Sequence, residues 1–124
     1  MDRRAFLIRA ALGTGLLMGS PWLAAACRSA DAGLARRLAA CAPPEAAALG
    51  RSYTARHPDE ANPLELARAL AAGWSDAERE EQGERLCARL RRQNRDDFEA
   101  GRVVTLGGFV LGRTEARLAA LSAA

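Results

Sequence analysis

The segment GRVVTLGGFVLGRTEARLAAL, residues 101–121, is the most informative part of the chain, because it contains a hairpin pattern followed by a helix start. The runs Val103–Leu106 and Phe109–Leu111 are rich in the β-branched and aromatic residues that favour strands. Gly107-Gly108 between them suits a two-residue turn, in which both residues take a positive φ. The stretch therefore predicts an antiparallel β-hairpin over 103–111.

The turn also fixes which hairpin side chains share a face. Pairing across two residues sets Leu106 opposite Phe109 and Val104 opposite Leu111. We expect these four side chains to face the helices, which could cover them. Thr114 then opens a last helix that continues through Leu118 and Leu121.

Between residue 27 and the hairpin, the sequence predicts short helices. Capping signals stand at Asn62-Pro63-Leu64-Glu65 and at Ser75-Asp76-Ala77-Glu78, and Pro43-Pro44 and Pro58 interrupt the chain. The sequence predicts a mainly α fold: a small helical domain, residues 27–124, with one C-terminal hairpin followed by a short helix. The predicted helices cover 31–42, 45–56, 63–72, 76–100 and 114–121.

The longest predicted helix, 76–100, has a thin apolar stripe. Leu86, Leu90 and Phe98 form its expected core face. Asp96 and Asp97 stand among arginines, and we interpret them as a solvated, ion-paired surface. Gly83 is the weak point of this helix, because glycine costs about 1 kcal/mol relative to alanine in a helix interior.

Residues 1–26 resemble a twin-arginine export signal. An uncharged run, 10–26, follows Arg9 and ends in three alanines that suit a signal peptidase. The run sits at the short edge of the ~20 residues that span a bilayer. The residues that match the signal's pattern are Arg3, Arg4, Phe6 and Leu7. The resemblance implies export to the periplasm by the twin-arginine translocase.

The three cysteines leave alternatives open. Cys27 follows the alanines directly and could carry a lipid, although Leu23 stands one place too early for the lipoprotein pattern. A membrane attachment would then depend on that lipid alone. Cys41 and Cys87 could form a disulfide in an oxidising compartment, or Cys87 could stay buried and unpaired between leucines.

Charge and motif content narrow the function classes. The chain carries 18 arginines and no lysine against 15 acidic residues, but without residues 1–26 the balance is 15 to 14. This small net charge gives little reason to expect nucleic-acid binding. His57 is the single histidine, and we interpret it as a helix-end residue. No Cys-x-x-Cys pair occurs, which argues against a zinc ribbon, a thioredoxin-type redox site and covalently attached haem. The serines have no base at a recognisable spacing, and the other candidates each have a structural interpretation, so we expect no catalytic, cofactor or metal site.

The segment Arg113-Thr114-Glu115-Ala116-Arg117 has two interpretations. It can simply start the last helix, with Glu115 in the first turn. It can also form a docking surface, in which Arg113, Glu115 and Arg117 lie beside the exposed hairpin face of Val103, Thr105 and Val110, since arginine and small apolar patches suit protein interfaces.

The leader, the size and the helical plan are similar to those of the small subunits of periplasmic flavin-dependent dehydrogenases that act on sugars and gluconate. In that family a helical subunit carries the export signal and escorts a larger catalytic subunit. The resemblance implies a non-catalytic accessory subunit of an exported oxidoreductase, with no cofactor of its own. The alternative is a free-standing periplasmic or lipid-anchored binding module.

Overall fold

The computed structural model describes residues 28–124, of which 31–124 form one unit with its own core. The unit is mainly helical, with an antiparallel hairpin directly before the last helix, which confirms the predicted fold class. The elements in chain order are α1 (28–39), a 3₁₀ turn (Pro44–Ala46), α2 (Ala47–Arg56), a second 3₁₀ turn (Pro58–Glu60), α3 (Pro63–Leu70), α4 (Asp76–Arg79), α5 (Gly83–Ala100), β1 (Val103–Leu106), β2 (Phe109–Gly112) and α6 (Arg113–Ala123).

The two predicted capping signals are confirmed. The Asn62 side chain accepts hydrogen bonds from the backbone N–H groups of Leu64 and Glu65, at 2.8 and 3.2 Å. Ser75 and Glu78 cap each other's backbone reciprocally. These bonds satisfy N–H groups that have no partner inside the helix, so they fix where α3 and α4 begin.

The prediction of one helix over 76–100 is wrong. α4 ends at Arg79, and α5 begins at Gly83, whose φ of +59° lies in the left-handed region that favours glycine. Arg37 of α1 stabilises the break, because its guanidinium donates to the carbonyl oxygens of Arg79 (2.5 Å) and Glu81 (3.3 Å). The helix is therefore interrupted before Gly83, where two backbone carbonyls accept hydrogen bonds from Arg37 instead of continuing the helix.

The hairpin has the predicted register. Leu106 pairs with Phe109 and Val104 with Leu111 across the two turn glycines, whose φ angles are +55° and +86°. Leu106 and Leu111 are buried, and Val104 packs against the core. Contrary to the expectation that the helices cover all four side chains, Phe109 at the hairpin tip is 62% exposed.

α5 buries a different stripe from the predicted one. Leu86 and Leu90 are in the core, but Phe98 is 46% exposed and Asp97 is buried at 4%. Asp97 lies eleven residues after Leu86, which is close to three full helical turns. Phe98 lies about 100° further around the helix, so the expected apolar position belongs to a carboxylate.

The core lies where α2, α3, α5 and the hairpin pack around α6, and α1 contributes Leu34, Ala35 and Leu38 to it. α2 and α6 pack closely because Gly50 lies against the backbone of Ala119, where a Cβ would overlap the Ala119 carbonyl. The core residues are mostly leucine and alanine: Leu34, Ala35, Leu38, Tyr53, Leu66, Ala67, Leu70, Ala71, Leu86, Leu90, Leu106, Leu111, Ala116, Ala120 and Leu121. Within 28–124, no helix combines the length and the apolar character that a membrane span requires.

Candidate functional site

An apolar groove of about 260 Å³ opens beside the hairpin tip. Its walls come from the segment after α1, from α2, from β2 and from α6. Its charged lining residues are two glutamates, Glu45 and Glu115, and both are exposed. The other residues that line it are Ala42, Pro43, Ala46, Leu49, Phe109, Leu111, Leu118 and Ala119.

A second depression of about 240 Å³ adjoins this groove. The two depressions share Pro43, Glu115 and Leu118, so these three residues separate them. The far wall of the second depression contains the disulfide between Cys41 and Cys87, whose Cα atoms are 5.4 Å apart. This bond is the pairing that the sequence left as one of two alternatives.

The hairpin presents apolar side chains beside the groove. Phe109 and Val110 are 62% and 54% exposed, and Val103 is 38% exposed. Val110 pairs with Thr105 on the outward face of the hairpin, whereas Phe109 lies on the inward face at its tip. Phe109 therefore lines the groove, and Val110 is exposed on the opposite face of the hairpin.

The predicted docking residues of α6 point in two directions. Arg113 and Arg117, which are one helical turn apart, line a polar cleft of about 290 Å³ together with Gln93, Asp97 and Arg102. Glu115 lies on the opposite side of the helix and lines the apolar groove. Helix geometry thus separates the acidic residue from the two arginines that the sequence grouped with it.

Arg117 is committed to an internal cluster. Its Nε donates to Glu60 Oε1 at 2.8 Å, and the Tyr53 hydroxyl donates to the same oxygen at 2.8 Å. Burial opposes ionisation of Glu60, but the hydrogen bonds from Arg117 and Tyr53 outweigh it and lower its pKa. Burial and the bond to Glu60 raise the pKa of the Tyr53 hydroxyl. The cluster ties α2 to α6 and leaves Arg117 only 23% exposed.

His57 also takes a structural position. It ends α2, and its backbone N–H donates to the Tyr53 carbonyl at 2.9 Å. Its ring stacks on the Tyr53 ring, with centroids 4.4 Å apart. The position at a helix end agrees with the interpretation from the sequence.

The interpretation of Asp97 as solvated surface is wrong. Its Oδ2 accepts the backbone N–H of Thr114 at 2.6 Å, and its Oδ1 accepts Arg102 Nε at 2.9 Å. Burial would raise the pKa of Asp97, but the bonds from Thr114 and Arg102 lower it. One turn earlier, Asn94 accepts the N–H of Glu115 at 3.1 Å. α5 therefore supplies the side chains that cap the N-terminus of α6.

Sequence reasoning missed Glu45 and Phe109 as neighbours in one groove. They are 64 positions apart and meet only because α6 packs between α2 and the hairpin, so no local pattern could join them. The signal that was available is the position of Phe109 directly after the turn, where neighbouring elements cover a side chain least. The groove therefore depends on tertiary packing.

Several predicted residues lie outside the described part of the chain. These are the export-signal residues Arg3, Arg4, Phe6 and Leu7 and the candidate lipidation site Cys27. Among residues 28–124, no group of three or more His, Cys, Asp or Glu side chains is placed to hold a metal ion.

Comparisons with known proteins found no matching family model, no matching curated protein and no matching solved structure.

Proposed function

We propose that this chain is a non-catalytic, exported accessory subunit that docks on a larger periplasmic oxidoreductase. The observation that carries the proposal is the apolar surface at the hairpin tip. Phe109, which lines an apolar groove, and Val110, on the other face of the hairpin, are both more than half exposed. Exposed apolar patches next to a polar rim mark protein-interaction sites more often than chance positions do.

Two features support the exported location. Residues 1–26 resemble a twin-arginine export signal. In the family that the chain resembles, the subunit with this signal escorts a larger folded partner. The disulfide between Cys41 and Cys87 suits an oxidising compartment, since cytosolic thiols are kept reduced. The oxidoreductase character of the partner comes from the family resemblance of the leader, the size and the helical plan.

The non-catalytic part of the proposal is supported by what the polar side chains do. Asp97 and Asn94 cap α6, and Glu60 holds Tyr53 and Arg117. These groups are the strongest candidates for acid–base chemistry near a cleft, and each has an evident structural partner. The apolar groove contains none of these groups and suits recognition.

The experiment compares native complexes of hairpin variants. The exported protein, tagged at its C-terminus, is purified at native expression levels from wild type and from the double variant F109S/V110S. F98S is the matched control, because Phe98 is 46% exposed on α5 and lines neither depression. Circular dichroism checks that each variant is folded.

We expect wild type and F98S to retain a larger polypeptide in a constant ratio, and F109S/V110S to lose it. Retention by all three proteins would refute docking through the hairpin. Wild type that purifies alone would refute the accessory-subunit function and favour the alternative, a free-standing or lipid-anchored binding module. The groove, a concave apolar site with a few polar groups, is the feature that favours this alternative.

A further inference from the structure

We infer that the groove receives an apolar anchor side chain of the partner protein that is flanked by an arginine or lysine. This inference rests on the proposed function and specifies the chemistry of the partner's surface. It is carried by the size of the groove and by the sign of the charges around it. Both properties belong to the groove lined by Phe109 and Leu118.

The size of the groove, just below the usual range for ligand pockets, suits a single side chain. Pockets for drug-sized ligands have volumes of about 300–1,000 Å³, whereas this groove holds about 260 Å³ and is open to solvent. Protein interfaces concentrate their binding energy in a few anchors that fill such pockets. Leu49, Leu111 and Leu118 provide the apolar wall that an anchor would contact.

The charge selects a basic neighbour for that anchor. Glu45 reaches the groove from the segment before α2 and Glu115 from the first turn of α6. Neither carboxylate forms an ion pair with another residue in the described range 28–124. The Glu115 side chain accepts a 3.4 Å hydrogen bond from the Asn94 amide. A cation beside the anchor would therefore meet two carboxylates with which no cation of residues 28–124 is paired.

The positive charges nearby do not cancel this selection. Arg91 lines the adjoining depression, but it is paired with Glu84. Arg113 and Arg117 lie on the opposite side of α6, where they line the polar cleft. An acidic partner segment would thus be repelled at the groove.

The test uses three synthetic helical peptides and the purified exported protein. The first peptide carries leucines at i, i+3 and i+7 and an arginine at i+4. The second has glutamate in place of the arginine, and the third has serines in place of the leucines. Binding is followed at low salt through the NMR signals of Leu49, Phe109 and Leu118.

We expect the arginine peptide to shift these three signals and to bind up to about fivefold more tightly than the glutamate peptide, which is the most that one exposed ion pair changes affinity. The serine peptide should leave the signals unchanged. In E45Q/E115Q the ratio between the arginine and glutamate peptides should fall towards one. E99Q is the control, because Glu99 is exposed on α5 and lines neither depression.

Two results would overturn the inference: no shift of the groove signals with the arginine peptide, or an unchanged ratio in E45Q/E115Q. Neither result touches the proposed function, which the native purification tests by itself. A partner that co-purifies while the groove ignores all three peptides would refute only the anchor chemistry. Selective peptide binding by a protein that purifies alone would refute only the accessory-subunit function.

Discussion

Removing the disulfide gives the largest stability change that we expect from this structure. The bond joins Cys41, in the turn after α1, to Cys87 in α5, and it closes a loop with a sequence separation of 46. The relation between loop length and chain entropy assigns such a loop about 4 kcal/mol. We therefore expect C41A/C87A to lower the free energy of unfolding by about this amount, which is a large share of the 5–15 kcal/mol typical of native proteins.

The assay is urea unfolding of the purified exported protein, followed by circular dichroism. With a slope of about 1–3 kcal/mol per molar urea, the loss moves the unfolding midpoint down by at least about 1 M. C41A and C87A alone should each cost about as much as the double variant, because either change removes the whole bond. Wild type measured with a reductant serves as the chemical control.

A double variant within about 1 kcal/mol of wild type would contradict this expectation. So would additive losses in the two single variants, because additivity indicates that each side chain contributes separate packing. In either case the linkage between α1 and α5 would not stabilise the fold through the unfolded chain.

Three further predictions concern α6, the contact between α2 and α6, and the leader. D97N should lose about 2 kcal/mol at pH 7, the scale of a charged hydrogen bond. Because folding lowers the pKa of Asp97, its contribution is present above the unfolded pKa of about 4 and is lost as the pH falls through the folded value, so D97N should flatten the acid limb of the stability curve. G50A should cost about 1–3 kcal/mol through overlap with α6, whereas G33A, where a Cβ has room inside α1, should raise thermal stability slightly because alanine favours a helix interior. R3K/R4K should abolish export in a fractionation blot, and continued export would contradict the leader assignment.

The elements that the sequence predicted correctly are those with local causes. The glycine turn, the Asn62 cap and the Ser75–Glu78 capping box each depend on residues within four positions, and the structure has all three. The same local character explains why the fold class could be predicted from a single sequence. Alanine-rich helices show little periodicity of apolar residues, but capping residues and prolines mark where such helices begin and end.

The elements that were missed depend on contacts between distant segments. The break before Gly83 is stabilised by Arg37, which lies more than 40 residues away. Asp97 is buried because the N-terminus of α6 packs against it, where the Thr114 N–H group has no partner inside the helix. Neither partner is visible in the sequence of α5 itself.

The error at the candidate docking surface has a simpler cause. Arg113 and Arg117 are four residues apart on α6, whereas Glu115 is about 200° around the helix from Arg113, so one surface could not present all three. Helical geometry alone would have separated them. The groove itself could not have been predicted, because Glu45 and Phe109 meet only in the folded chain.

The central claim is that this chain works as one part of a larger exported complex. The most direct test is size-exclusion chromatography with light scattering on the tagged protein, isolated under native conditions from the periplasmic and membrane fractions. The proposed function predicts a single species that contains this chain and a larger polypeptide without its own leader, in fixed proportion. A lone, folded species in both fractions would contradict it.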